Sequence, residues 1–105
     1  MQSGYKINIQ YKGMGKTRAH VYVTGMVQGV FYRSFIRTKA RLLRLNGWVK
    51  NTMDGCIEVV FEGEEQDVHE AVELCRRGPP QAKVTDVRVE WEKPHGDVQS
   101  FEIKQ

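Results

Sequence analysis

Alternation of apolar and polar residues becomes regular at Arg18. From Arg18 to Thr24, Ala19, Val21 and Val23 fall on one side and His20, Tyr22 and Thr24 on the other, the period of a half-buried strand. Past the glycines at 25 and 29 the period changes. Tyr32, Ile36, Ala40 and Leu43 recur at helical spacing, with Phe35 and Leu42 widening the stripe, so the spacing predicts a helix over Ser34 to Leu45. Arg37, Lys39, Arg41 and Arg44 fill the rest of its surface as a solvated face. Gly47 leads into a second strand, Trp48 to Asn51, and Asp54-Gly55 signals a hairpin into the third, Cys56 to Glu62. There Ile57, Val59 and Phe61 share one face and Glu58, Val60 and Glu62 the other, and Gly63 is expected to end the strand. A second helix is predicted from Glu64 to Arg77, with Val68, Ala71, Val72 and Cys75 as its apolar side. Acidic residues open it and Arg76 and Arg77 close it, as the helix dipole prefers, before Gly78-Pro79-Pro80 stops it. A fourth strand, Lys83 to Trp91, a loop at Pro94 to Asp97 and a short last strand, Val98 to Ile103, complete the chain.

The order β-α-β-β-α-β, with a short extra C-terminal strand, implies an α+β fold: a two-layer sandwich of the ferredoxin-like kind. In it strands one and two run parallel with strand three inserted between them, joined by a right-handed crossover. The C-terminal ends of strands one and two then reach the same sheet edge, and the Gly25–Arg33 turn faces Asn51 across the start of strand three. Residues 17–105 form this domain. Residues 1–16 read as an extension in which Tyr5, Ile7, Ile9 and Tyr11 permit a short extra strand and disorder is equally compatible.

Length and charge narrow the classes. The 105 residues suit one domain, and 40% hydrophobic with 28% charged residues is ordinary for a globular protein. The excess of 16 basic over 13 acidic residues, +3, favours small anions and falls short of a dedicated nucleic-acid binder. No apolar run approaches the ~20 residues of a membrane span, and no signal-peptide pattern opens the chain, so cytoplasmic residence is expected. Cys56 and Cys75 have no metal-ligand spacing and are expected to be reduced and partly buried.

The chemistry concentrates in Gly25-Met26-Val27-Gln28-Gly29-Val30-Phe31-Tyr32-Arg33. A strand that turns through glycines into a helix start leaves backbone N–H groups unpaired beside the positive end of the helix dipole, which suits a phosphate. Arg33 in the first turn is unfavourable to the helix alone, but its guanidinium fork matches two phosphate oxygens. A tight turn with a solvated arginine is the plainer alternative. With phosphate seated on backbone N–H groups from Gln28 to Arg33, Asn51 could hold a water for in-line attack without titrating. Such a site needs no metal and no cofactor if the leaving group departs unprotonated, as a carboxylate does, whereas a phosphate ester would demand an acid, a metal or a nucleophile.

The Gly25–Arg33 run resembles the acylphosphatase signature G-x-V-Q-G-V-x-F-R, and Gly47-Trp48-Val49-Lys50-Asn51-Thr52-Met53-Asp54-Gly55 resembles the family's second motif, G-W-V-x-N-x-x-D-G. Gly78 to Val84 and Phe101-Glu102-Ile103 are also similar, so the likeness covers roughly residues 17–105. The resemblance implies metal-free hydrolysis of acyl phosphates to a carboxylate and inorganic phosphate. It implies Arg33 as the catalytic arginine, Asn51 as the residue that orients water, and Gln28, Gly29, Val30, Phe31 and Tyr32 as the backbone cradle. The expected partners are a small-molecule acyl phosphate and inorganic phosphate, as product and competitive inhibitor. A monomer without nucleic acid or membrane is expected. Tyr32 stands where phenylalanine is usual, and Arg44 where glycine commonly ends the first helix, at a cost of about 1 kcal/mol if left-handed.

Other residues read more plainly. His20, His69 and His95 share no context, and Asp54 and Thr52 read as turn residues. An RNA-binding reading of the open sheet face meets Glu58, Glu62, Asp86 and Glu90 there, which repel phosphate. A phosphate sensor without turnover, or a domain serving a larger carbamoyl-transferring protein, keeps the same anion site.

Overall fold

β1 (Lys16–Met26) is the strand from which the sheet grows in both directions, pairing with β3 (Ile57–Glu64) on one side and β4 (Lys83–Glu92) on the other. The computed structural model describes residues 15–105, and the alternation over residues 5–11 lies outside the described residues. The remaining elements are α1 (Tyr32–Leu42), β2 (Asn46–Asn51), α2 (Glu65–Arg77) and β5 (Phe101–Ile103). The five strands lie in the order β4-β1-β3-β2-β5, with β3 antiparallel to β1 and β2 and β5 parallel to β2. α1 packs on β2 and β5, α2 on β1, β3 and β4, and the helices touch each other, giving a two-layer ferredoxin-like sandwich. Among the described residues no helix is long and apolar enough to cross a membrane.

The core is the set of inward positions that the periodicities pick out. Ala19, Val21 and Val23, Ile57, Val59 and Phe61, and Tyr32, Ile36 and Ala40 are all buried, as are Val68, Ala71, Val72 and Cys75. Each large apolar side chain stabilises the fold by about 1.5–3 kcal/mol on burial. Burial also pushes the Cys75 thiol up to about 12, so it stays protonated and inert.

The structure departs from the alternation in three places. β3 does not end at Gly63 but runs through it, and a Cβ there would lie 2.6 Å from the Leu45 side chain. That glycine makes room for packing rather than breaking a strand. The last strand is shorter than expected because residues 93–100 fold back over the open face of the sheet, where backbone N–H groups of His95 and Gly96 donate to Glu62 at 3.0 and 2.9 Å. Glu62, outward by alternation, is therefore buried, and Val60 on the same face is buried too, with His20 and Trp48 as its partners on the neighbouring strands. Glu62 also accepts from Arg18 Nη1 at 3.0 Å, and Arg18 further meets Asp97 and Glu92. Burial alone would raise the carboxyl of Glu62, but the two N–H donors and Arg18 outweigh it and hold it below its ordinary value. On the same face Tyr22 stacks on His20 and lies under the Arg88 guanidinium, so its ring is engaged within the protein.

α1 ends in a Schellman motif: Leu45 N–H donates to Ala40 and Arg44 N–H to Arg41, with Arg44 at φ 60°. This is the left-handed position at which arginine replaces the usual glycine. Arg44→Gly is expected to raise unfolding free energy by about 1 kcal/mol, read as a higher denaturant midpoint at constant slope. Glu62→Gln should cost about 2 kcal/mol at pH 7. A carboxyl depressed in the folded state stabilises above its unfolded pKa and loses that contribution as pH falls through the folded value. Denaturation followed from pH 7 to 3 should thus show a shallower acid loss in the variant.

Candidate active site

The site begins where β1 leaves the sheet. The β1–β4 register shifts between Thr24 and Gly25, and a Cβ on Gly25 would lie 2.1 Å from the Lys83 carbonyl oxygen, so only glycine lets β4 pass so close. The chain then turns through Gly29 (φ 73°) and Phe31 (φ 64°) into α1. A left-handed non-glycine residue costs about 1–2 kcal/mol, and alternating left- and right-handed residues aim successive N–H groups into one concavity. Phe31 is the N-cap of α1, offers no side-chain cap, and no acidic residue occupies the first turn. Among the described residues, the N–H groups of Gln28 to Ser34 donate to no turn carbonyl or side chain. Arg33 stands half-buried in that first turn and enters no ion pair among the described residues.

Ile57 sets the other half of the site by pairing with Val23 of β1 on one side and with Asn51 of β2 on the other. Two strand spacings, ~10 Å, therefore separate Val23, three residues before β1 ends, from Asn51. The gap between them is a cavity of about 270 Å³ bordered by Gly29, Phe31, Tyr32, Arg33 and Ser34 from the turn and α1, by Asn51, and by Val27 and Ile103. The structure thus brings Arg33 and Asn51 to one cavity. Asn51 borders the cavity, and its Oδ1 is buried without a hydrogen-bond partner among the described residues. An orphaned buried acceptor costs about 1–3 kcal/mol, a cost the fold does not recover within itself. Arg33 carries the only charge among the lining residues, and no His, Cys, Asp or Glu borders the cavity, so it offers no set of metal ligands. Among the described residues, His20, Glu90 and Glu92 are close enough to share a cation, and none of them borders it.

Gln28 and Val30, expected in the backbone cradle, do not border the cavity. The Gln28 side chain instead donates to the carbonyls of Thr52 at 2.9 Å and Cys56 at 2.8 Å, tying the turn to the β2–β3 hairpin that carries Asn51. Periodicity held no sign of that contact, nor of Ser34 and Ile103 in the lining. The Tyr32 side chain points into the core, and its hydroxyl donates to the Cys75 carbonyl at 2.7 Å, satisfying an end group of α2. Burial pushes that hydroxyl far above its ordinary value and keeps it a donor. Thr52 accepts from the Cys56 N–H at 3.0 Å and donates to the Asp54 carboxylate, which holds Asp54 below its ordinary value. Both are turn residues outside the cavity.

A family model described as Acylphosphatase matches residues 19–103. The acylphosphatase of Haloarcula marismortui is 52% identical over 91 residues, 87% of this chain and 99% of that protein. An acylphosphatase structure from Coxiella burnetii superposes with a TM-score of 0.80 at 42% identity, covering 89% of this chain and 97% of that one. One from Bacillus subtilis gives 0.82 at 36% identity, covering 85% and 99%. The fold, the two sequence runs and these relatives agree, and the chain belongs to the acylphosphatase family of hydrolases.

Proposed function

We propose that this protein hydrolyses acyl phosphates to a carboxylate and inorganic phosphate without a metal, using Arg33 and the uncapped turn to hold the phosphoryl group and Asn51 to aim the attacking water. The observation that carries the proposal is that Arg33 and Asn51 border one cavity, with Oδ1 of Asn51 unpartnered among the described residues. The carboxamide offers a donor and an acceptor with which to orient a water at phosphorus. The guanidinium fork and the N–H groups of the Gly29–Ser34 segment face the non-bridging oxygens, where charge is spread in the transition state. The oxygen of water bonds to phosphorus as the bridging P–O bond breaks; the acyl oxygen leaves as carboxylate, and the water proton passes to the phosphate or to solvent. Because a carboxylate departs unprotonated, the absence of an acid among the lining side chains is no handicap. Membership of the acylphosphatase family supports the same substrate class.

Arg33→Ala is expected to abolish turnover of benzoyl phosphate and competitive inhibition by inorganic phosphate together, and Arg33→Lys to remain poor because a point charge cannot form the fork. Asn51→Ala should leave phosphate inhibition near the unsubstituted value while kcat falls about 10²-fold or more. Equal loss of phosphate binding in both alanine variants would sink the division of roles. Gln28 acts as a positioning residue in this reading: Gln28→Ala should lower kcat about tenfold with little change in phosphate inhibition, since a small misplacement of the water is costly. Gln28→Glu should be worse, because its carboxylate would face two carbonyl oxygens; equal kinetics for the two variants would remove the positioning role.

A further inference from the structure

The open face of the sheet carries a cluster of side chains that the hydrolytic site does not use. His20 of β1 lies opposite Glu90 of β4, and Glu92 follows two residues along β4 on the same face. One ligand atom from each of the three stands within 4.8 Å of the others. His20 is held in a defined orientation. Its ring stacks on Tyr22 with centroids 4.7 Å apart and meets the edge of Trp48 at 5.9 Å. Its Nε2 lies 2.6 Å from Glu58 Oε2 on β3. An ionised carboxylate can only accept, so the ring proton sits on Nε2 and Nδ1 keeps its lone pair.

Glu92 is oriented as well. Its Oε1 faces Arg18 Nε at 3.2 Å and His95 Nε2 at 3.5 Å, which leaves Oε2 toward His20 Nδ1 at 3.9 Å. A lone pair and a carboxylate oxygen aimed at each other repel unless a proton or a metal ion stands between them. The distance decides which. A shared proton would draw nitrogen and oxygen to about 2.7–3.2 Å. Two ligands of a tetrahedral Zn²⁺, with bonds of about 2.0–2.2 Å, stand ~3.4 Å apart. The observed 3.9 Å is too long for the first and needs to close by only about half an ångström for the second.

We propose that His20 Nδ1, Glu92 Oε2 and a carboxylate oxygen of Glu90 form a site for one divalent transition-metal ion of the Zn²⁺ kind, with water as the fourth ligand. One imidazole nitrogen and two carboxylates suit such an ion, whereas Mg²⁺ wants near-octahedral oxygen ligands. Glu58 holds the far side of the imidazole, which fixes the tautomer and raises the basicity of Nδ1. Charge points the same way. Glu58, Glu90 and Glu92 bring three negative charges to one ring. Lys50 approaches Glu58 at 3.9 Å and Arg18 meets Glu92, but Glu90 enters no ion pair among the described residues. The ion ties β1 to β4 on the open face. It adds stability and takes no part in hydrolysis, because none of its ligands borders the cavity shared by Arg33 and Asn51.

The test is a calorimetric titration of the full, untagged chain with Zn²⁺ at pH 7, beside His20→Gln and Glu90→Gln. Residues 1–15 contain no His, Cys, Asp or Glu that could compete. One ion per chain is expected, bound about tenfold or more weakly in each variant, the scale on which even a ligand's own partner matters. Zn²⁺ in excess should raise Tm by about 5 °C in the unsubstituted protein and leave that of Glu90→Gln unmoved. Glu90 is exposed and makes no hydrogen bond through its side chain among the described residues, so Glu90→Gln decides alone should His20→Gln fail to fold. Absence of Zn²⁺ binding, which would leave a proton between His20 and Glu92, overturns the site. So does unchanged affinity in Glu90→Gln, equal weakening by Cys56→Ser or His69→Gln, or Mg²⁺ bound as tightly as Zn²⁺. Benzoyl phosphate turnover is expected to be the same in chelator-treated protein and in Glu90→Gln; its loss in either would overturn a site outside the chemistry.

Discussion

The register at Ile57 is the constraint on which the site depends. Because one residue of β3 pairs with Val23 of β1 on one side and Asn51 of β2 on the other, the two parallel strands finish toward the same sheet edge, with those two residues ~10 Å apart. A slip of one residue on either side would turn Asn51 to the opposite face, away from the turn that Arg33 occupies. The valines and isoleucine of the inward face oppose such a slip, since it would expose them all. Core packing is thus what holds Asn51 and the turn that carries Arg33 beside one cavity.

Local costs accumulate in this region. α1 starts without a side-chain cap, a phenylalanine takes a left-handed backbone beside it, an arginine sits at the positive end of the helix, and a buried amide oxygen lacks a partner. Each is unfavourable for folding, and under the proposed function a bound phosphate and water would offset them. The Gln28 side chain ties the turn to the hairpin through two carbonyls. By contrast, Arg44 is a left-handed residue that nothing at the site explains, and its cost is borne by the Schellman bonds and the core beneath α1.

The opposite face shows how charge can be stored without serving chemistry. Arg18, Glu62, Asp97 and Glu92 form a partly buried network under the returning loop of residues 93–100. Tyr22 is stacked between His20 and Arg88. An open sheet that reads nucleic acid needs aromatic faces left bare, and here the ring is already engaged.

What the chain determined by itself is local. Periods of two and of helical spacing placed every strand and helix within a few residues, because the inward faces of a single sheet and two helices dictate them. Turn chemistry marked the Asp54-Gly55 hairpin and the glycine-bounded bend, and helix polarity made Arg33 conspicuous. Tertiary structure decided the rest, because it depends on segments far apart in sequence meeting. The burial of Glu62 required the loop after β4 to fold over it. The second use of Gln28 required a hairpin 24 residues away to stand beside it. Gly63 read as a strand end until Leu45 needed its space. No period or motif encodes such neighbours; they arise when two layers close on one core.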